Sequence, residues 1–118
     1  MATVEVIHFR MIEGADEQEF IREDERVGKE YTPKQPGFRD RKSAKNDQGD
    51  WVVIVHWDDA QSAEASMEKF PNDPTAKRFI ELMDSDTFSM TRYEIVLTPR
   101  APSAANTPAR EGCSEGFP

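Results

Sequence analysis

A chain of 118 residues with 23 acidic and 15 basic side chains carries a formal charge of -8, which disfavours nucleic acid or an anionic membrane surface as its partner. With 32% charged residues and a mean hydropathy of -0.76, one well-solvated domain around one modest core is the expectation. The single cysteine, Cys113, excludes an internal disulfide and a cysteine-based zinc site, and no apolar run approaches the roughly 20 residues that span a bilayer, so a cytoplasmic protein without a membrane partner is expected.

Thr3 to Ile12 reads as the first strand, with Val4, Val6, His8 and Arg10 on one face and Glu5, Ile7, Phe9 and Met11 on the other. Glu13 to Asp16 turns the chain. Asp16 is placed to cap a helix, with Glu19 three residues later completing a capping box. That helix is predicted to end near Tyr31, before Pro33 and Pro36. Eight acidic residues between Glu13 and Glu30, against Arg22, Arg26 and Lys29, describe a solvated face, with an acidic docking surface as the alternative. Phe20, Val27 and Tyr31 share an apolar stripe, but the position one turn after Phe20 is Asp24, and Gly28 lies beside it. A carboxylate and a glycine on a core-facing stripe describe a pocket wall. The alternative is an aspartate at the stripe's edge that reaches water.

Phe38 to Lys45 is a second strand carrying Arg39, Arg41, Lys42 and Lys45. Such a run guards a sheet edge, or else forms a basic anion-binding patch. Asn46 to Asp50 is a hairpin loop into Trp51-Val52-Val53-Ile54-Val55-His56-Trp57. Alternation along this third strand sets Trp51, Val53, Val55 and Trp57 against Val52, Ile54 and His56, so both faces are largely apolar. A strand of this kind is central and needs cover on both sides, and a second copy of the chain is the natural second cover.

Asp58 or Asp59 caps a second helix with the stripe Ala60, Ala63, Met67 and Phe70. Asp73 and Pro74 open a third with Ala76, Phe79, Ile80 and Met83. Asp84-Ser85-Asp86 ends it, and Phe88 to Leu97 reads as a fourth strand. Residues 1-98 form the predicted domain. From Pro99 to Pro118 a Pro/Ala/Ser-rich tail containing Cys113 has little to bury and is predicted to be flexible unless a partner holds it.

The element order is that of an α+β, ferredoxin-like four-stranded antiparallel sheet with helices on one face. The open face then calls for a homodimer, since burying ~500 Å² of apolar surface per subunit is worth about 12 kcal/mol before the cost of association. The opening strand, together with Val52 to Trp57 followed by Asp58-Asp59-Ala60-Gln61-Ser62-Ala63, resembles the dimeric α+β barrel superfamily, and within it the antibiotic biosynthesis monooxygenase-like group, over about residues 3 to 97.

That resemblance implies a cofactor-independent monooxygenase acting on a small aromatic or polyketide-like substrate between sheet and helices, with no cofactor and no metal. Trp57 matches the tryptophan that packs on substrate in such enzymes. His8 stands where an asparagine on the first strand would bond to the substrate, and is the expected catalytic proton acceptor; the competing reading is a hydrogen-bonded sheet residue. Trp57 and Tyr93 are expected to shape the cavity, Asp24 and Gly28 to form its wall, and Arg92 or Asp24 to orient the ligand. His56 is expected at the dimer interface. Haem degradation is disfavoured, because Thr75 to Phe79 holds no histidine. The alternative function is a non-catalytic homodimer that binds a small ligand or acts as a scaffold.

Overall fold

A computed structural model describes residues 1-99. The tail from residue 100, with Cys113, lies outside the described residues. Strand β1 (Thr3–Met11) leads into α1 (Glu17–Arg26), which continues through a wider π turn, Val27–Tyr31, and a tight turn, Thr32–Lys34. Then come β2 (Phe38–Lys45), β3 (Trp51–Trp57), α2 (Ala60–Lys69), α3 (Lys77–Leu82) and β4 (Met83–Glu94). The sheet is antiparallel in the order β2-β3-β1-β4. The ferredoxin-like architecture expected from the sequence is present, with the cation-rich β2 at one edge. No helix among the described residues is long and apolar enough to cross a membrane.

Local chemistry fixes the boundaries. Asp16 accepts from the Gln18 backbone N–H and Asp59 from that of Ser62, so α1 and α2 begin at aspartate caps, and Asp73 accepts from that of Thr75 to cap the short turn Pro74–Ala76 that leads into α3. Glu19, predicted to complete the first cap, instead meets Arg78 of α3 at 2.7 Å. Asp58 is freed for an ion pair with Arg39 at 2.6 Å. At the β2–β3 hairpin, the Asn46 side chain accepts from the Gln48 and Asp50 backbone N–H groups, and Gly49 takes the left-handed φ of 84° that the turn requires.

Two expectations are corrected. The apolar stripe of α1 does not continue as a regular helix to Tyr31, because the Thr32 N–H reaches back five residues to the Val27 carbonyl and widens the turn. The fourth strand starts at Met83, five residues before Phe88. The Asp84-Ser85-Asp86 segment that read as a helix stop is a bulge inside β4, between the Arg10–Asp84 and His8–Ser89 pairings. Within it Asp84 accepts from the Asp86 N–H, and the Thr87 hydroxyl donates to the Asp84 carbonyl.

The inner sheet face and the helices enclose the core. Phe9, Phe20, Trp51 and Phe79 form its dense half, with Phe20 lying 4.8 Å from Trp51 and 5.1 Å from Phe79 between ring centres. On β3, Trp51, Val53, Val55 and Trp57 are buried, whereas Val52, Ile54 and His56 on the outer face are only half-buried.

Candidate functional site

Beside the aromatic half of the core lies a cavity of about 380 Å³. Its floor is the inner sheet face, including Glu5, Ile7, Val55 and Trp57; its roof includes Tyr31 from the π turn and Phe70 beyond α2. The β4 bulge contributes Phe88. Most of this wall is apolar, which suits a flat hydrophobic ligand.

The exception is Glu5, 2% exposed on the floor. The Trp57 indole Nε1–H donates to Glu5 Oε1 at 3.4 Å, and Arg92 Nε–H donates to Oε2 at 2.9 Å. Register places the group in a row across all four strands, Arg41 opposite Val55, Val55 opposite Glu5 and Glu5 opposite Arg92. With strands about 4.8 Å apart, the Arg41 and Glu5 backbones are about 10 Å from one another.

Three other polar side chains on the wall already have partners. The Tyr31 hydroxyl donates to the Ser66 carbonyl at 2.7 Å, and burial pushes its phenol above the ordinary range. The Thr32 hydroxyl donates to the Val27 carbonyl at 3.1 Å. Arg41 meets Asp24 at 2.8 Å, and its guanidinium stands 6.0 Å from the centre of the Phe79 ring.

Of the residues singled out from sequence, Trp57 lines this cavity. His8 does not. It pairs with Val52 and Ser89 on the outer face, while Trp57 shares the inner face with Thr3 and Glu5. The expectation that His8 and Trp57 share one pocket is therefore corrected by strand parity: His8 is even-numbered on a strand whose odd residues face the helices. Instead His8 borders a smaller polar recess with Arg10, Asn46, Asp50 and Thr87.

Tyr93 pairs with Val4 on the outer face and is 55% exposed, so it too lies away from the cavity. Asp24 is not on the wall but behind it, holding Arg41. Gly28 lies beside the same guanidinium, where an added Cβ would stand 3.4 Å from Arg41 Nη1. Arg92 reaches the cavity through Glu5. His56 lies on the outer face as expected, 3.4 Å from Asp40 Oδ2, and His8 shares that face rather than the opposite one.

Glu5 and Arg41 were missed as site residues. The signal for Glu5 was present: on β1 it is the charged residue in the otherwise apolar set Ile7, Phe9 and Met11. Among the described residues no three histidine, cysteine, aspartate or glutamate side chains gather as a metal site would need.

No family model and no curated protein matches the chain. Solved structures do. SnoaB, a cofactor-independent oxygenase from Streptomyces nogalater, is 18% identical with a TM-score of 0.67, covering 82% of this chain and 95% of its own. A candidate antibiotic biosynthesis monooxygenase from Bordetella bronchiseptica is 11% identical with a TM-score of 0.68, over 81% and 98% of the two chains. One from Chloroflexus aurantiacus is 13% identical with a TM-score of 0.64, over 85% and 98%. At these identities the likeness is one of fold, and the fold is that of the antibiotic biosynthesis monooxygenase-like proteins.

Proposed function

We propose that this chain, having the antibiotic biosynthesis monooxygenase-like fold, takes a small aromatic or polyketide-like molecule into the cavity beside Trp57 and oxygenates it with dioxygen and no cofactor. The observation that carries this reading is the apolar cavity of about 380 Å³ with one buried carboxylate on its floor. The likeness of fold to a cofactor-independent oxygenase supports it. For a phenolic ring the overall change is balanced when one oxygen atom becomes a new ring carbonyl and the other leaves as water with the hydroxyl and ring hydrogens. The substrate loses four electrons and dioxygen gains them.

A second reading, a ligand-binding protein without turnover, is favoured by one observation: neither histidine lines the cavity. Oxygen uptake in the presence of a hydroxylated anthrone, corrected for its spontaneous oxidation, separates the two. Uptake abolished by Ile80→Trp, which fills the cavity from α3, supports the enzyme. Saturable binding without enzyme-dependent uptake supports the binding protein.

Assembly as a homodimer through the outer sheet face belongs to the same proposal. Val4, Val6, Val52 and Ile54 are only half-buried there, and Tyr93 is exposed. A second copy would cover them with a two-fold symmetric contact.

A further inference from the structure

Resting on the reading that the cavity takes a planar ligand, we infer that Glu5 determines which ligands it accepts, by receiving a hydrogen bond from a hydroxyl or N–H on the ligand's edge. An ionised carboxylate offers roughly four lone-pair positions. Trp57 and Arg92 occupy two of them, so about two remain for a donor arriving from the cavity that Glu5 lines.

A buried ion pair is weak evidence that the glutamate serves stability here. The inner-face neighbours of Glu5 along β1 include Ile7 and Phe9, and an apolar residue would fit the pattern. Replacing a buried ion pair by well-packed apolar groups is often neutral or stabilising. A carboxylate on the floor of an apolar cavity, held from behind by a guanidinium, therefore points to a ligand group that needs it.

Glu5 is also the charged acceptor among the groups discussed above. Arg41 can only donate, and the hydroxyls of Tyr31 and Thr32 give their protons to backbone carbonyls, which leaves them only as weaker, neutral acceptors. The chemistry that fits is a fused aromatic or enolic ring system carrying an O–H or N–H donor. The corresponding ether, with no hydrogen to give, would leave the buried carboxylate facing an oxygen lone pair. A hydroxyl held against a carboxylate is also more electron-rich, the direction that reaction with dioxygen requires.

Isothermal titration calorimetry of the full chain with 1-naphthol, 1-methoxynaphthalene and naphthalene tests this. Wild type is expected to bind 1-naphthol about ten- to a hundred-fold more tightly than either other probe, the range for a hydrogen bond to a charged group. Glu5→Gln, whose amide oxygen still accepts but carries no charge, is expected to reduce that preference to about a few-fold while leaving naphthalene affinity within about twofold. Equal affinity of wild type for all three probes overturns the role of Glu5 and keeps the pocket. An undiminished preference in Glu5→Gln does the same. Failure of all three probes to bind wild type overturns the pocket reading together with this one. Because the wild-type comparison stands alone, a Glu5→Gln protein that fails to fold leaves the inference testable.

Discussion

Asp24 on α1 and Arg41 on β2 form an ion pair of 2.8 Å whose side chains are 14% and 11% exposed. The pair ties the helix to an edge strand at the rim of the cavity. Asp24→Ala leaves the guanidinium without its carboxylate in a mostly dry position and is expected to cost roughly 1–3 kcal/mol, read as a lower urea midpoint at unchanged slope. Gly28→Ala, beside the same guanidinium, is expected to stabilise by about 0.5–1 kcal/mol. Its Cβ meets only the flexible end of that side chain, and alanine loses less backbone freedom in a helical turn. A loss of stability in Gly28→Ala would mean that the glycine is required for the close approach of Arg41.

Tyr31 gives a pH dependence. Burial raises its phenol in the folded protein, so above about pH 10 the unfolded chain releases a proton that the folded chain retains. The unfolded state then binds fewer protons, and stability falls as pH rises. The contribution is whole below the unfolded value and is lost as pH climbs through the folded one. Tyr31→Phe is expected to flatten this alkaline loss while costing about 1 kcal/mol at neutral pH for the missing hydrogen bond to Ser66. Thermal melts of both proteins from pH 7 to 11 read the two effects separately.

His8→Ala is expected to leave 1-naphthol affinity within about twofold of wild type, since the imidazole and the cavity lie on opposite faces of β1. A loss of tenfold or more, by calorimetry, would place His8 back in contact with the ligand site.

Ile54→Lys addresses assembly. A charge in the middle of the outer face is expected to convert a dimer to a monomer in light scattering at micromolar concentration. A wild-type monomer under the same conditions would leave that face without a partner copy.

Much of the fold could be read from local pattern. The two-sided apolar alternation of Trp51 to Trp57, the charged edge at Phe38 to Lys45 and the aspartates before each helix are all short-range signals, and each element formed where its signal lay. The site was less legible because parity within a strand says nothing about parity between strands. Whether His8 or Glu5 shares a face with Trp57 depends on the β1–β3 register, which no local signal states. The Asp24–Arg41 pair joins residues 17 apart on different elements. The start of β4 was hidden for another reason: an Asp-Ser-Asp segment serves a helix stop and a strand bulge equally well, and only the pairing with Arg10 distinguishes them.

The π turn at Val27–Tyr31 makes chain length, rather than side-chain size, a control on the cavity. Removing a single residue there, Gly28 for example, would let the backbone return to the regular four-residue ladder and rotate Tyr31 and Thr32 about the helix axis. Two parts of the roof would move together without any change in the sheet beneath. Insertions and deletions at this one helical turn are thus a route by which a common floor could be fitted to ligands of different thickness.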